Sequence, residues 1–104
     1  MHARATLLEI DTMRIGVDDA AALFDRDVLP GLAEQEDYAG AIVLATPDGR
    51  GLILTLWDSE AAAADPAGFA SGELDRFATL FRSPPGREYY RVVSFDLPRV
   101  PALT

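Results

Sequence analysis

The sequence predicts a single α+β domain with the element order β-α-β-β-α-β and an antiparallel sheet. Three observations predict it. Four segments alternate or run apolar as strands do, two stretches with helical spacing separate them, and a Pro-Asp-Gly turn joins the middle pair of strands directly. A chain of 104 residues has room for one core, so residues 1–104 are read as one domain with an extended tail from 98 to 104.

Ala3–Thr12 is the first strand, with Thr6, Leu8 and Ile10 on one face and Ala5, Leu7 and Glu9 on the other. Gly16 breaks it, and Asp18-Asp19 bring N-cap chemistry and negative charge to the positive end of a helix. That helix aligns Ala21, Phe24, Val28, Leu32 and Gln35 in one stripe and leaves Asp25, Arg26 and Glu34 outside it. Pro30-Gly31 falls within the pattern and predicts a kink near Leu29. Gly40 opens the second strand, Ala41–Thr46. Pro47-Asp48-Gly49 then turns the chain, proline presetting φ and glycine taking a positive φ, into the third strand, Gly51–Asp58.

Asp58 or Ser59 caps a second helix through Glu60 and the alanines that follow. Asp65-Pro66-Ala67-Gly68 interrupts it, since proline in a helix interior costs about 3 kcal/mol. Ser71 restarts it, placing Leu74, Phe77, Ala78 and Phe81 toward the core, and Ser83-Pro84-Pro85-Gly86 stops it. The fourth strand is Glu88–Leu97, and Pro98 and Pro101 keep the tail extended. This order is the split βαβ, or ferredoxin-like, arrangement.

Composition removes several classes of function. The chain has no cysteine, which excludes disulfides, thiolate nucleophiles and cysteine-based metal sites. Its single histidine, His2, is terminal and cannot build a histidine metal site or a Ser-His-Asp triad. With 17 acidic against nine basic residues the net charge is -8, which repels phosphate backbones, so no nucleic-acid partner is expected. No apolar run reaches the roughly 20 residues of a membrane span and no signal-peptide pattern opens the chain, so no membrane association and a cytoplasmic location are expected. No metal and no cofactor is expected. The absence of lysine and asparagine beside abundant alanine and arginine suggests a GC-rich bacterial source.

Both faces of the sheet are apolar. Leu52, Leu54 and Leu56 line one side of the third strand and Ile53, Thr55 and Trp57 the other, with similar doubling in the second and fourth strands. Two helices cover one face, and each large side chain left wet forgoes about 1.5–3 kcal/mol. The expected assembly is a homodimer through the sheet faces, packed face to face or joined as a barrel.

Leu29-Pro30-Gly31-Leu32, Asp37-Tyr38-Ala39-Gly40 and Leu54-Thr55-Leu56-Trp57-Asp58-Ser59-Glu60-Ala61 together resemble the antibiotic biosynthesis monooxygenase-like domain. The resemblance spans about residues 3 to 97 and implies a dimeric α+β barrel built from ferredoxin-like subunits. It also implies a pocket between helices and sheet with Trp57 in its wall, and, in the cofactor-independent branch, oxygenation of a phenolic aromatic substrate. The haem-degrading branch needs a strand-one asparagine and a second-helix histidine. This chain has no asparagine and no histidine beyond position 2, which disfavours haem degradation.

On that reading Trp57, Phe24, Phe77 and Phe81 are candidate walls for a small hydrophobic or aromatic substrate, and Tyr38, Tyr90, Thr55 and Arg91 candidate polar groups. No side chain stands out as the base. Each candidate has a plainer role: Trp57 as a plug at the strand–helix junction, and Phe77 and Phe81 as core. Tyr89 and Tyr90 must face opposite sides of their strand. Arg87 and Arg91 suit ion pairs, and Asp25, Asp27, Glu34, Glu36 and Asp37 suit a solvated face. Residues 65–71 are either a linker or a lid tipped by Phe69. The functional expectations are a monooxygenase-like enzyme, a non-catalytic small-molecule-binding or accessory protein, or a structural dimer with a filled interior.

Overall fold

Four antiparallel strands form one sheet, β1 (His2–Glu9), β2 (Tyr38–Ala45), β3 (Arg50–Trp57) and β4 (Gly86–Arg91), in the order β2-β3-β1-β4. Helices α1 (Val17–Leu23) and α2 (Leu29–Leu32) connect β1 to β2, and α3 (Glu60–Ala64) follows β3. The structure is a computed structural model that describes residues 1–65, 76–82 and 86–99. This is the ferredoxin-like order expected, with β1 and β3 central.

The stripe Phe24, Val28 and Leu32 carries the core: their exposures are 8%, 1% and 0%, and they pack with Ile53, Trp57 and Ala63. Gln35, the expected end of that stripe, is exposed, and its side-chain amide donates back to the Gly31 carbonyl at 3.2 Å. The helix breaks earlier than Pro30. Phe24–Val28 is a π-helical turn in which the Leu29 N–H reaches the Phe24 carbonyl, before α2 resumes with Pro30 in its first turn. Pro30 has no N–H for the Arg26 carbonyl, and the backbone widens ahead of the ring.

The cap of the first helix differs from expectation, and the second is one of the two offered. Gly16 is the N-cap of α1 and makes no side-chain bond, while Asp18 and Asp19 lie in the first turn, where they act on the helix dipole. Ser59, not Asp58, caps α3, its Oγ accepting from the Ala62 N–H at 3.1 Å. The hairpin turn is as expected. Gly49 holds φ +96, the Ile10 N–H donates to its carbonyl at 2.7 Å, and a Cβ there would lie 2.4 Å from the Ile10 carbonyl oxygen. Only glycine fits so close an approach.

The extents of the last strand and of the helix before it are corrected. β4 starts at Gly86 and ends at Arg91, not Leu97. Its ladder closes with the Val92 N–H on the Met1 carbonyl at 3.0 Å, and residues 92–97 have no further sheet pairing. The expected helix through Phe81 is absent over its described part. Ala78–Leu80 is a single 3-10 turn and Phe81 forms a bridge with Ile10. Backbone pairing to the end of β1 replaces helix here: the Asp11 N–H reaches the Leu80 carbonyl at 2.7 Å, and the Arg82 N–H the Glu9 carbonyl at 2.9 Å. The expected restart at Ser71, the segment around Phe69 and the last residues of the tail lie outside the described residues.

The register sorts the two faces. Arg4, Thr6 and Leu8 on β1 and Ile53, Thr55 and Trp57 on β3 face the helices, and the alternate residues face away. On that second face Leu7, Ile42, Leu44 and Tyr90 are large and exposed. Among the described residues no helix is long and apolar enough to cross a membrane.

Candidate functional site

The helix-covered face has two unlike ends. At one, the register sets His2, Trp57 and Tyr38 abreast, then Arg4, Thr55 and Ala41. Trp57 is 5% exposed, its Nε1–H donates to Thr55 Oγ1 at 2.9 Å, and the Tyr38 ring meets it edge-on with centroids 5.8 Å apart. The Thr55 hydroxyl in turn donates to the Arg4 carbonyl at 3.5 Å. Arg4 is buried, and sequence reasoning missed this. Its Nε–H donates to the Ala63 carbonyl at 2.8 Å and an Nη2–H to the Asp65 carbonyl, so a β1 side chain closes the C-terminal end of α3. Burial lowers the Arg4 pKa; the nearby Tyr89, whose ring lies 5.9 Å from the guanidinium carbon, opposes that shift, and Arg87 adds to it. Burial also raises the Tyr38 phenol.

At the other end an apolar cleft of about 760 Å³ opens between the sheet and the first helical segment. The sheet supplies Leu8, Ile53, Val43 and Ala45, the helical side supplies Phe24 and Val28, and Phe77 and Phe81 close one end. In register Ala45 opposes Gly51 and Gly51 opposes Leu8, whose side chain lies over the glycine and forms part of the cleft floor. Phe24, Phe77 and Phe81 of the expected wall therefore meet here. Trp57, Thr55 and Tyr38 pack together at the filled end, outside this cleft, and Tyr90 lies on the opposite face of the sheet.

Two lining residues escaped sequence reasoning. Among the described residues, Asp18 and Asp25 are the polar side chains on the cleft. Their spacing of seven puts them on one side of the helical segment, flanking Ala21 and Phe24, a signal that was present in the sequence. The other described residues of the wall are apolar and offer no side-chain hydrogen-bond donor. No group of three or more histidine or acidic side chains among the described residues is placed to hold a metal ion.

Solved structures share this architecture over nearly the whole chain. A monooxygenase from the gene ActVA-Orf6 of Streptomyces coelicolor, in complex with the ligand nanaomycin D, superposes with a TM-score of 0.67 at 20% identity, covering 94% of this chain and 92% of that one. The chain has an antibiotic biosynthesis monooxygenase-like fold. NE2512, a protein of unknown function from Nitrosomonas europaea, gives a TM-score of 0.70 at 23% identity with 95% of each chain covered. Rv0793 from Mycobacterium tuberculosis gives 0.62 at 11% identity, covering 94% of this chain and 98% of that one. No family model matches the sequence, and no curated protein matches it.

Proposed function

We propose that this protein binds a small hydrophobic, aromatic molecule in the cleft beneath Phe24. The carrying observation is the cleft itself, about 760 Å³ with a wall that, among the described residues, is apolar apart from two carboxylates. That volume falls in the range of small-molecule sites, roughly 300–1,000 Å³. Aromatic side chains from two separate segments, Phe24 on one and Phe77 and Phe81 on the other, suit a flat ring system stacked or edge-on between them.

A monooxygenase-like activity without metal or flavin is the fuller form of this reading. It is favoured by the shared fold with the Streptomyces coelicolor monooxygenase and its bound ligand. Such chemistry asks the protein for an apolar cavity and a proton acceptor, because the deprotonated substrate itself reduces oxygen. Asp18 and Asp25 are the ionisable groups placed to accept that proton. Among the described residues the wall supplies no side-chain donor for the resulting anion, an observation that favours the alternative of a non-catalytic binding or accessory protein. Oxygen consumption with a panel of anthrones and quinols separates the two. Turnover supports the enzyme; binding without turnover supports the carrier; neither binding nor turnover overturns the proposed function.

The assembly proposed is a homodimer through the open sheet faces. Leu7, Ile42, Leu44 and Tyr90 lie exposed there, with no helix of the described residues above them. Sedimentation at micromolar concentration is expected to give twice the 11.2 kDa chain mass, and Leu44→Arg to give the chain mass. A monomeric wild type overturns the dimer.

A further inference from the structure

We propose that the cleft selects an aromatic molecule carrying a protonated amine and discriminates against the same skeleton carrying a carboxylate. This rests on the cleft being the binding site, and it deepens that reading by naming the ligand's charge. The only polar side chains on its wall, among the described residues, are Asp18 and Asp25, and both are exposed at the mouth while Phe24 between them is buried. A ring therefore enters among the phenylalanines as its substituent stays at the mouth, in water and within reach of two carboxylates. A carboxylate substituent gains nothing there. Among the described residues of the wall it meets two like charges and no side-chain donor, and it gives up part of its hydration for an apolar surface.

The described cations next to this segment, Arg26 and Arg76, do not line the cleft. Arg76 lies with its guanidinium carbon 5.2 Å from the Phe77 ring centre, outside the cleft wall. Its charge acts on Asp27, whose carboxyl is held below its usual range first by the hydrogen bond from Arg26, with Arg76 adding a smaller share. The net charge of -8 also works against a carboxylate ligand at longer range.

Calorimetric titration with 2-naphthylmethylamine, 2-naphthalenemethanol and 2-naphthoate tests this. At low salt the amine is expected to bind at least about tenfold tighter than the naphthoate, with the alcohol between them, and about 0.15 M salt narrows the spread. Asp18→Asn/Asp25→Asn brings the three dissociation constants within about twofold of one another, the interaction with two nearby charges being gone. Asp19→Asn, a charge removed from the same helix but off the cleft wall, keeps the ranking. Thermal melting shows that each variant is folded. Naphthoate binding as tightly as the amine, or a ranking that survives the double substitution, overturns the inference. If the alcohol binds and charge makes no difference, the inference alone falls; if none of the three binds, the cleft reading falls with it.

Discussion

The two ends of the helix-covered sheet face are built from the same strands and end up opposite in character. Around Trp57 the interior is filled and hydrogen-bonded, with Thr55, Tyr38 and Arg4 all engaged. Around Ile53, four residues earlier on the same strand, the interior is a cleft. Side-chain size at matched positions makes the difference. A tryptophan and a tyrosine sit across from each other at one end, and a glycine and an alanine at the other. The filled end is packed and hydrogen-bonded, and the open end carries the cleft proposed to bind a ligand.

Substitutions at the filled end are expected to cost stability. Trp57→Ala removes a 5%-exposed ring and the partner of Thr55, and is expected to lower unfolding free energy by about 3–5 kcal/mol in urea titration. A loss below about 1 kcal/mol would mean that the end is not packed as described. Arg4→Met keeps the stem but strips the donors from the Ala63 and Asp65 carbonyls, for an expected loss of about 1–3 kcal/mol. Amide exchange in α3 should quicken in that variant more than exchange in α1, which Arg4 does not cap.

The third prediction concerns pH. Burial raises the Tyr38 phenol above its ordinary 10.0, so the native state favours the neutral form. Its contribution is whole below pH 10.0 and is lost as pH rises from there through the raised native value. Tyr38→Phe is expected to flatten the alkaline limb of stability against pH while leaving the neutral region in place. An unchanged alkaline limb would place the loss elsewhere.

The smallest effect on stability is expected at the open end. Ala45→Phe puts a ring into the cleft from an exposed position on the edge strand, and should leave the unfolding free energy within about 0.5 kcal/mol of wild type. Binding of 2-naphthalenemethanol should fall at least tenfold in the same variant, about 1.4 kcal/mol. Retained binding would move the ligand site away from this cleft.

Much of the fold was legible because its signals are local. Alternation in β3, the Phe24–Val28–Leu32 stripe and the Pro-Asp-Gly turn each depend on neighbours within a few residues, and each is realised. Element ends were less legible. The π-helical turn before Pro30 and the replacement of helix by a bridge at Phe81 depend on carbonyls and N–H groups far away in sequence or one turn upstream. Half of the site could be read: Phe24, Phe77 and Phe81 are apolar at core spacing and line the cleft. Asp18 and Asp25 look like any solvated acid until the helical segment is laid against the sheet. Arg4 looks like a surface residue until α3 ends above it.

The sequence by itself determined the element order, the acidic charge and the absence of cysteine and of any histidine beyond position 2. These follow from which residues are present and how they are spaced along the chain. Tertiary structure alone decided where the empty space lies. A cavity is what remains when the volumes of residues distant in sequence, here Leu8, Ala45 and Gly51, are brought side by side by strand pairing. The sequence carries each of those volumes, but only the register adds them together.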